Sequence, residues 1–242
     1  MKQVILELQS TERLCENVYK SVFAGDVSGI TTPGQFVNVR LDGLYLRRPI
    51  SVCDLGKDML TLVYKVVGKG TAALSQAAPG AKFDVLTGLG NGYDLSLSGK
   101  TPLLIGGGVG VPPLYYLAKK LIEKGATPTV ALGFNRKEEV FFQKEFEALG
   151  VKVALATVDG SQGTKGFVTN VLPKDYSYFY ACGPEPMLKA VYNATVSDGE
   201  FSFEERMGCG FGACMGCSCK TLVGNKRICK DGPVIKKGEI LW

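Results

Sequence analysis

The chain has 242 residues, 45% hydrophobic and 21% charged, with a formal net charge of +5 and no histidine. That length favours two modest domains, each burying its own core without disulfides, and no apolar run approaches the roughly 20 residues of a membrane-spanning helix. The positive charge is spread, with nothing longer than short basic pairs such as Arg47-Arg48, Lys119-Lys120 and Lys236-Lys237, which speaks against nucleic-acid binding.

Lacking histidine, the chain has no access to the commonest general base, zinc ligand or haem ligand, so bound cofactors are expected to carry its chemistry. Met1 to Ser10 mixes Lys2, Gln3 and Glu7 among apolar positions. This strand-like alternation lacks the apolar core of a signal peptide and predicts a cytoplasmic protein.

Up to about Leu97 the pattern is short β-rich runs: Val4-Leu8, Val18-Phe23, Phe36-Leu41, Ile50-Cys53, Leu60-Val67 and Lys82-Leu86. Pro33-Gly34, Asp42-Gly43 and Pro79-Gly80 punctuate them, which predicts a small antiparallel barrel over residues 1–98. After Ser98-Gly99-Lys100 the period changes. Strands at Leu103-Gly106, Thr129-Phe134, Lys152-Thr157 and Tyr178-Cys182 alternate with helices at Pro112-Lys124, Lys137-Leu149, near Thr169 and at Glu185-Val196. This predicts a parallel sheet covered by helices over residues 99–200. Residues 201–242 are Gly- and Cys-rich with no apolar period, so this third segment needs a cofactor and a neighbour to order it.

Five of the eight cysteines crowd into Cys209 to Cys229, a ligand pattern suited to a reducing compartment. Cys209-x4-Cys214-x2-Cys217 has the plant-type ferredoxin spacing, with Cys229 as the fourth thiolate of a [2Fe-2S] cluster. The interleaved Gly208, Gly210, Gly212 and Gly216 let backbone amides approach the sulfurs. Cys219 is read as a non-ligand, because the set is complete without it. A four-cysteine zinc knuckle, which normally uses two closely spaced pairs, is the competing assignment.

Two glycine turns lie in the middle segment. Leu103-Leu104-Ile105-Gly106-Gly107-Gly108-Val109-Gly110-Val111-Pro112-Pro113 runs from a buried strand into a helix, a turn at which pyrophosphate can approach helix N–H groups. Cys182-Gly183-Pro184-Glu185-Pro186-Met187 also follows a strand and opens a helix, so both turns are predicted to border one crevice. Asn135, Arg136 and Lys137 follow the second strand, where an adenosine ribose often lies. A cation there suits a 2′-phosphate, yet Asn135 is equally read as a helix cap, and the choice between NAD and NADP stays open.

This pair of turns resembles the ferredoxin-NADP+ reductase superfamily, and the resemblance implies that Cys182 adjoins the hydride path. Arg48-Pro49-Ile50-Ser51 resembles that superfamily's Arg-x-x-Ser flavin signature, and Arg48 suits phosphate because its guanidinium donates two charge-assisted bonds. Tyr64-Lys65-Val66-Val67-Gly68-Lys69-Gly70-Thr71 resembles its second flavin segment, a strand that turns through Gly70-Thr71. Chemistry independently favours a flavin, because nicotinamide exchanges two electrons as hydride while the cluster takes one.

The order of the three segments, with Glu204 to Cys214 and Cys229-Lys230-Asp231-Gly232-Pro233-Val234, resembles the electron-transfer subunits of class 1B dihydroorotate dehydrogenases. The resemblance implies FAD, [2Fe-2S] and NAD as cofactors. It also implies a separate FMN-containing catalytic partner in a complex of two plus two chains, with electrons running FMN, cluster, FAD, NAD+. The expected FAD residues are Arg48, Pro49, Ile50, Ser51, Lys65, Val66, Val67, Gly70 and Thr71. Gly106, Gly107, Gly108, Gly110, Gly183, Pro184 and Glu185 are expected to shape the nicotinamide crevice. A small subunit of an electron-bifurcating NADH-dependent ferredoxin:NADP+ oxidoreductase or related hydrogenase shares the architecture, and a zinc-stabilised nucleotide-binding module is the non-redox alternative. Trp242 is expected only to pack locally.

Overall fold

The computed structural model describes residues 1–242. Strands β1 (Lys2–Cys15), β2 (Val18–Ala24), β3 (Phe36–Val39), β4 (Arg48–Gly56), β5 (Met59–Lys65) and β6 (Lys82–Leu89) close a barrel in the order β1-β2-β5-β4-β3-β6, with β1 pairing back onto β6. Alternation along the strands sends Leu6, Leu8, Phe23, Val37, Val39, Val52, Leu60, Leu62 and Val85 inward. The β1–β2 and β4–β5 hairpins turn on Asn17 and Asp58, both left-handed with φ of 60° and 54°, a conformation these two residue types tolerate better than most.

Between β5 and β6 lies α1 (Lys69–Ser75). The sequence pattern predicts a strand to Val67 and a simple turn at Gly70-Thr71. Instead β5 ends at Lys65 and both residues belong to the first turns of a helix. The switch is local: the Val66 N–H donates to the Asn17 carbonyl at 2.7 Å and the Val67 N–H to Thr71 Oγ1 at 3.0 Å.

The second layer is a sheet of β7 (Leu103–Gly107), β8 (Thr129–Phe134), β9 (Lys152–Thr157), β10 (Thr164–Lys165), β11 (Phe179–Cys182) and β12 (Gly199–Ser202), with α2 (Val111–Glu123), α3 (Gln143–Ala148) and α4 (Glu185–Ala194) packed on it. A hairpin, β13 (Ser218–Thr221) and β14 (Gly224–Arg227), follows, and β15 (Val234–Lys236) adds an antiparallel edge, giving the order β10-β9-β8-β7-β11-β12-β15. Every residue of β7 and β11 is buried, as expected for central parallel strands covered on both faces.

The helix predicted over Lys137-Leu149 is broken into a 3₁₀ turn at Lys137–Glu139 and the six-residue α3. Phe141 and Phe142 lie between them with buried rings, Phe141 edge-on to Phe134 and Phe142 edge-on to Tyr115, each pair 5.2 Å apart. Seating adjacent aromatics on different neighbours forces Phe142 into a left-handed φ of 65°, which no continuous helix permits. The helix near Thr169 is likewise a 3₁₀ turn, Val168–Val171.

The segments share cores. Val18, Cys53 and Val63 of the barrel bury with Leu104, Leu114 and Leu117, while Cys217, Ile228, Cys229, Ile235 and Ile240 bury with Ile105, Phe179 and Phe201. Lys119 on α2 reaches both carboxylate oxygens of Asp54 on β4, at 2.7 and 2.8 Å. Asn91 stitches the end of the barrel to the C-terminal segment: its N–H donates to the Gly232 carbonyl at 2.7 Å and its side chain bonds Val234 N and O at 3.1 and 2.8 Å.

Candidate functional site

The strand order reverses between β7 and β11, since β8, β9 and β10 lie on one side of β7 and β11 and β12 on the other. Open α/β sheets bind ligands at the carboxyl ends of the strands flanking such a switch point. The two glycine turns found in the sequence occupy those ends, for Gly106 pairs in register with Cys182. They nearly touch: a Cβ on Gly110 would come within 2.3 Å of the Cys182 carbonyl oxygen, so only glycine permits the approach.

A cavity of 750 Å³ opens there, lined by Pro49, Ile50, Ser51, Lys65, Val67 and Thr71 from the barrel and by Gly107, Gly108, Gly110, Cys182, Gly183 and Pro184 from the sheet. A second, of 770 Å³, continues past Arg48, Pro49, Val67, Thr71, Gly183, Pro184 and Glu185 to Trp242. Each has the size of a bound cofactor or drug-sized ligand, and their shared walls suit an elongated one. Arg48 lies on the first turn of α1, where a Cβ on Gly70 would come within 2.3 Å of its Nε. The guanidinium and the helix start therefore face the same volume, a suitable seat for phosphate.

Three expected residues line neither cavity. Gly70 is buried beneath the Arg48 side chain. Gly106 is buried beneath α2, its missing Cβ making room for Val111 and Leu114, so its role is packing of strand on helix. Val66 holds the β1–β2 turn through its N–H.

Sequence reasoning did not assign Tyr93, Ser202, Glu204 or Met207 to the site, nor Glu16 and Glu139 at its outer end. Tyr93, Glu16 and Glu139 lie in no motif, Ser202 ends β12, and Glu204 and Met207, though within the Glu204 to Cys214 run, are not among its ligands. Burial pushes the Cys182 thiol up to about 12, with Ser202 and Tyr93 beside it pulling the other way. Cys182 is thus a neutral thiol near pH 7, and Tyr93, fully enclosed, donates to the adjacent Ala181 carbonyl at 3.3 Å.

The cysteine loop lies against the barrel wall. Its sulfurs form two pairs, Cys209 with Cys214 and Cys217 with Cys229. Ala213 and Cys214 donate N–H groups to Cys209 Sγ at 3.2 and 3.5 Å, Cys209 donates to Cys214 Sγ at 3.5 Å and Cys229 to Cys217 Sγ at 3.4 Å. Burial resists ionisation of Cys209, but the amides of Phe211, Cys214 and Ala213 and the Cys214 thiol overcome it and bring the group down to about 6. Burial and the thiols of Cys217 and Cys209 push Cys229 up to about 12.

Four thiolates cannot coexist in this loop without a compensating cation, and a bound metal ionises such thiols outright. The pairs suit two irons, each taking two thiolates. Arg227 fastens the loop, donating to the Gly212 carbonyl at 3.0 Å and to Asp231 at 2.9 Å. Cys219 lies on β13 outside the pairs, its thiol pushed up by burial and by Glu205.

Trp242 packs on Tyr192, Phe201 and Phe203, with ring centroids 6.0, 6.5 and 5.8 Å away, and also lines the second cavity.

Known proteins share this arrangement. A family described as "Iron-sulfur cluster binding domain of dihydroorotate dehydrogenase B" matches residues 204–241, and one described as "Oxidoreductase NAD-binding domain" matches residues 104–193. The "Dihydroorotate dehydrogenase B (NAD(+)), electron transfer subunit" of Geobacillus sp. (strain WCH70) is 44% identical over 257 residues, covering 100% of this chain and 99% of that protein. The protein of the same name from Fusobacterium nucleatum subsp. nucleatum is 44% identical over 250 residues, 96% of each chain. Among solved structures, a chain of the NADH-dependent reduced ferredoxin-NADP oxidoreductase superposes with a TM-score of 0.89 at 31% identity, covering 98% of this chain and 90% of its own. Phthalate dioxygenase reductase, 19% identical with a TM-score of 0.65 over 79% of this chain and 64% of its own, shares the fold. With full-length relatives at this identity, a barrel and doubly wound sheet of the reductase kind and a paired-cysteine loop, the chain belongs to the family of dihydroorotate dehydrogenase B (NAD(+)) electron transfer subunits.

Proposed function

We propose that this chain carries electrons from an FMN-containing dihydroorotate dehydrogenase catalytic subunit to NAD+ by way of a [2Fe-2S] cluster and FAD, in pyrimidine biosynthesis. The observation that carries the reading is the placement of two thiol pairs on the barrel wall whose strands line the cavity at the sheet's switch point. FAD supplies the exchange between hydride and single electrons, which neither nicotinamide nor the cluster provides alone.

The chain's own residues hold and separate these groups. Cys209 and Cys214 ligate one iron, Cys217 and Cys229 the other, and the loop amides donate to the sulfurs, stabilising negative charge there. Arg48 and Thr71 take the FAD phosphates, Gly70 leaving room for the Arg48 side chain on α1, while Pro49, Ile50, Ser51, Lys65 and Val67 edge the flavin. Gly107, Gly108 and Gly110 with Gly183, Pro184 and Glu185 shape the nicotinamide crevice. Cys182 fills the wall between them as a small neutral group, keeping water out of the hydride path without competing as a nucleophile.

Phe211 and Met215, 44% and 55% exposed beside Cys209 and Cys214, give the loop an apolar outer face suited to the catalytic subunit. A complex of two plus two chains in the cytoplasm completes the reading, and no helix is long and apolar enough to cross a membrane.

Optical spectroscopy and metal analysis of the anaerobically purified chain test the cofactor set. Flavin and iron-sulfur bands with two irons and one FAD per chain are expected, whereas a colourless protein holding zinc would overturn the reading. The bifurcating reductase architecture seen at 31% identity is the second reading, distinguished by which acceptor the assembled complex reduces.

A further inference from the structure

We propose that Glu16 and Glu139 hold Arg136 in a clasp that makes the adenosine end of the dinucleotide site accept a 2′-hydroxyl and reject a 2′-phosphate. This selectivity device rests on the nicotinamide-dinucleotide reading above.

Arg136 follows β8, the strand beside β7, and with Asn135, Glu139 and Glu16 lines the outer part of the 750 Å³ cavity. In a doubly wound sheet the pyrophosphate lies at the first glycine turn and the adenosine ribose at the end of the next strand. A free arginine there would be a ready 2′-phosphate ligand, since its fork matches phosphate geometry.

Arg136 is not free. Its Nη2 donates to Glu16 Oε2 at 2.7 Å and its Nε to Glu139 Oε1 at 3.2 Å. The other oxygen of Glu139 accepts from Asn135 Nδ2 at 2.9 Å, so that carboxylate is held on both sides. Glu16 comes from the β1–β2 turn of the barrel, 120 residues away in sequence. The clasp therefore spans the mouth of the cleft. Glu139 also faces the neighbouring Cys15, whose thiol is pushed up first by burial and then by the Glu139 charge, with Lys65 and Arg13 opposing. Lys137, the other adjacent cation, lies 3.9 Å from Glu138.

The immediate balance is one guanidinium against two carboxylates. A 2′-phosphate would have to break both ion pairs and then face two negative charges, whereas a 2′-hydroxyl can donate to a carboxylate already in place. The pairs are exposed and add little to stability. Their effect lies in the sign of the charge that the incoming ribose meets.

The test uses the FAD- and cluster-loaded protein with ferricyanide as acceptor, comparing kcat/KM for NADH and NADPH, together with calorimetric titration of 2′,5′-ADP and of 5′-AMP. The wild-type protein should favour NADH and bind 5′-AMP better than 2′,5′-ADP. Removing both acidic charges, in the double variant Glu16→Gln and Glu139→Gln, should lower the NADH/NADPH ratio about tenfold or more, the change that corresponds to one pKa unit of interaction. It should also tighten 2′,5′-ADP. Arg136→Gln should move the ratio the other way. A ratio and a 2′,5′-ADP affinity unchanged within about twofold in the double variant, or a wild-type protein that prefers 2′,5′-ADP, would overturn the clasp. A wild-type protein that oxidises neither dinucleotide would instead refute the reading on which it rests.

Discussion

Asn38 Nδ2 donates to the Cys209 carbonyl at 3.2 Å, joining a side chain 1% exposed in the barrel wall to a cysteine 171 residues later. Asn38 sits on β3 opposite Pro49, so one side chain ties the cysteine loop to the strand that carries Arg48-Pro49-Ile50-Ser51. Replacing Asn38 by Leu leaves the Cys209 carbonyl without this partner, at a cost of about 1–3 kcal/mol. The variant should lose iron and sulfide faster than wild type on mild heating while retaining FAD, as followed by the visible spectrum.

Serine at Cys209, Cys214, Cys217 or Cys229 removes one thiolate from a pair, whereas Cys219 belongs to neither pair. Each of the four serine variants should lack the cluster's visible bands, and Cys219→Ser should keep them with unchanged iron content. Loss of the cluster in Cys219→Ser would reassign the ligands.

Alanine at Gly110 puts a methyl group within 2.3 Å of the Cys182 carbonyl oxygen and forces the two glycine turns apart. KM for NADH in ferricyanide reduction should rise by about tenfold, equivalent to about 1.4 kcal/mol, with FAD content unchanged.

Glu200 supplies a pH-dependent term. It is 3% exposed, accepts the Asp94 N–H at 2.9 Å, and burial pushes its carboxyl up to about 7 against the pull of that N–H bond and of Lys236, with the Asp94 charge adding to the rise. The folded protein therefore holds a proton that the unfolded chain releases near pH 4.5. That contribution is fully present below the unfolded value and is lost as pH rises to about 7. Urea unfolding should show wild type losing on the order of 3 kcal/mol relative to Glu200→Gln between pH 4.5 and 8, with the two closest at the acid end.

Much of this architecture is legible in the sequence because local chemistry carries it. Turn residues such as Pro33-Gly34 and Pro79-Gly80 separate the barrel strands, alternating periods mark the sheet and its helices, and cysteine spacing marks the cluster loop. The broken helix at Phe141-Phe142 was not legible, because it depends on what each ring packs against. Nor was α1, whose start has no side-chain cap. Asn38, Tyr93 and the Glu16–Arg136 pair escape any motif because their partners lie far away in sequence. Gly106 shows the converse: it belongs to a glycine-rich motif but serves packing.

The central claim is that the paired cysteines and the switch-point cavity form one conduit between a partner and NAD+. Co-purifying this chain with an FMN-containing dihydroorotate-oxidising subunit and measuring dihydroorotate-dependent NAD+ reduction tests it most directly. The account predicts NAD+ reduction by the complex, abolished by Cys217→Ser while NADH–ferricyanide activity persists through the flavin. A correctly assembled complex that leaves NAD+ unreduced by dihydroorotate, or reduces ferredoxin or NADP+ instead, would contradict it.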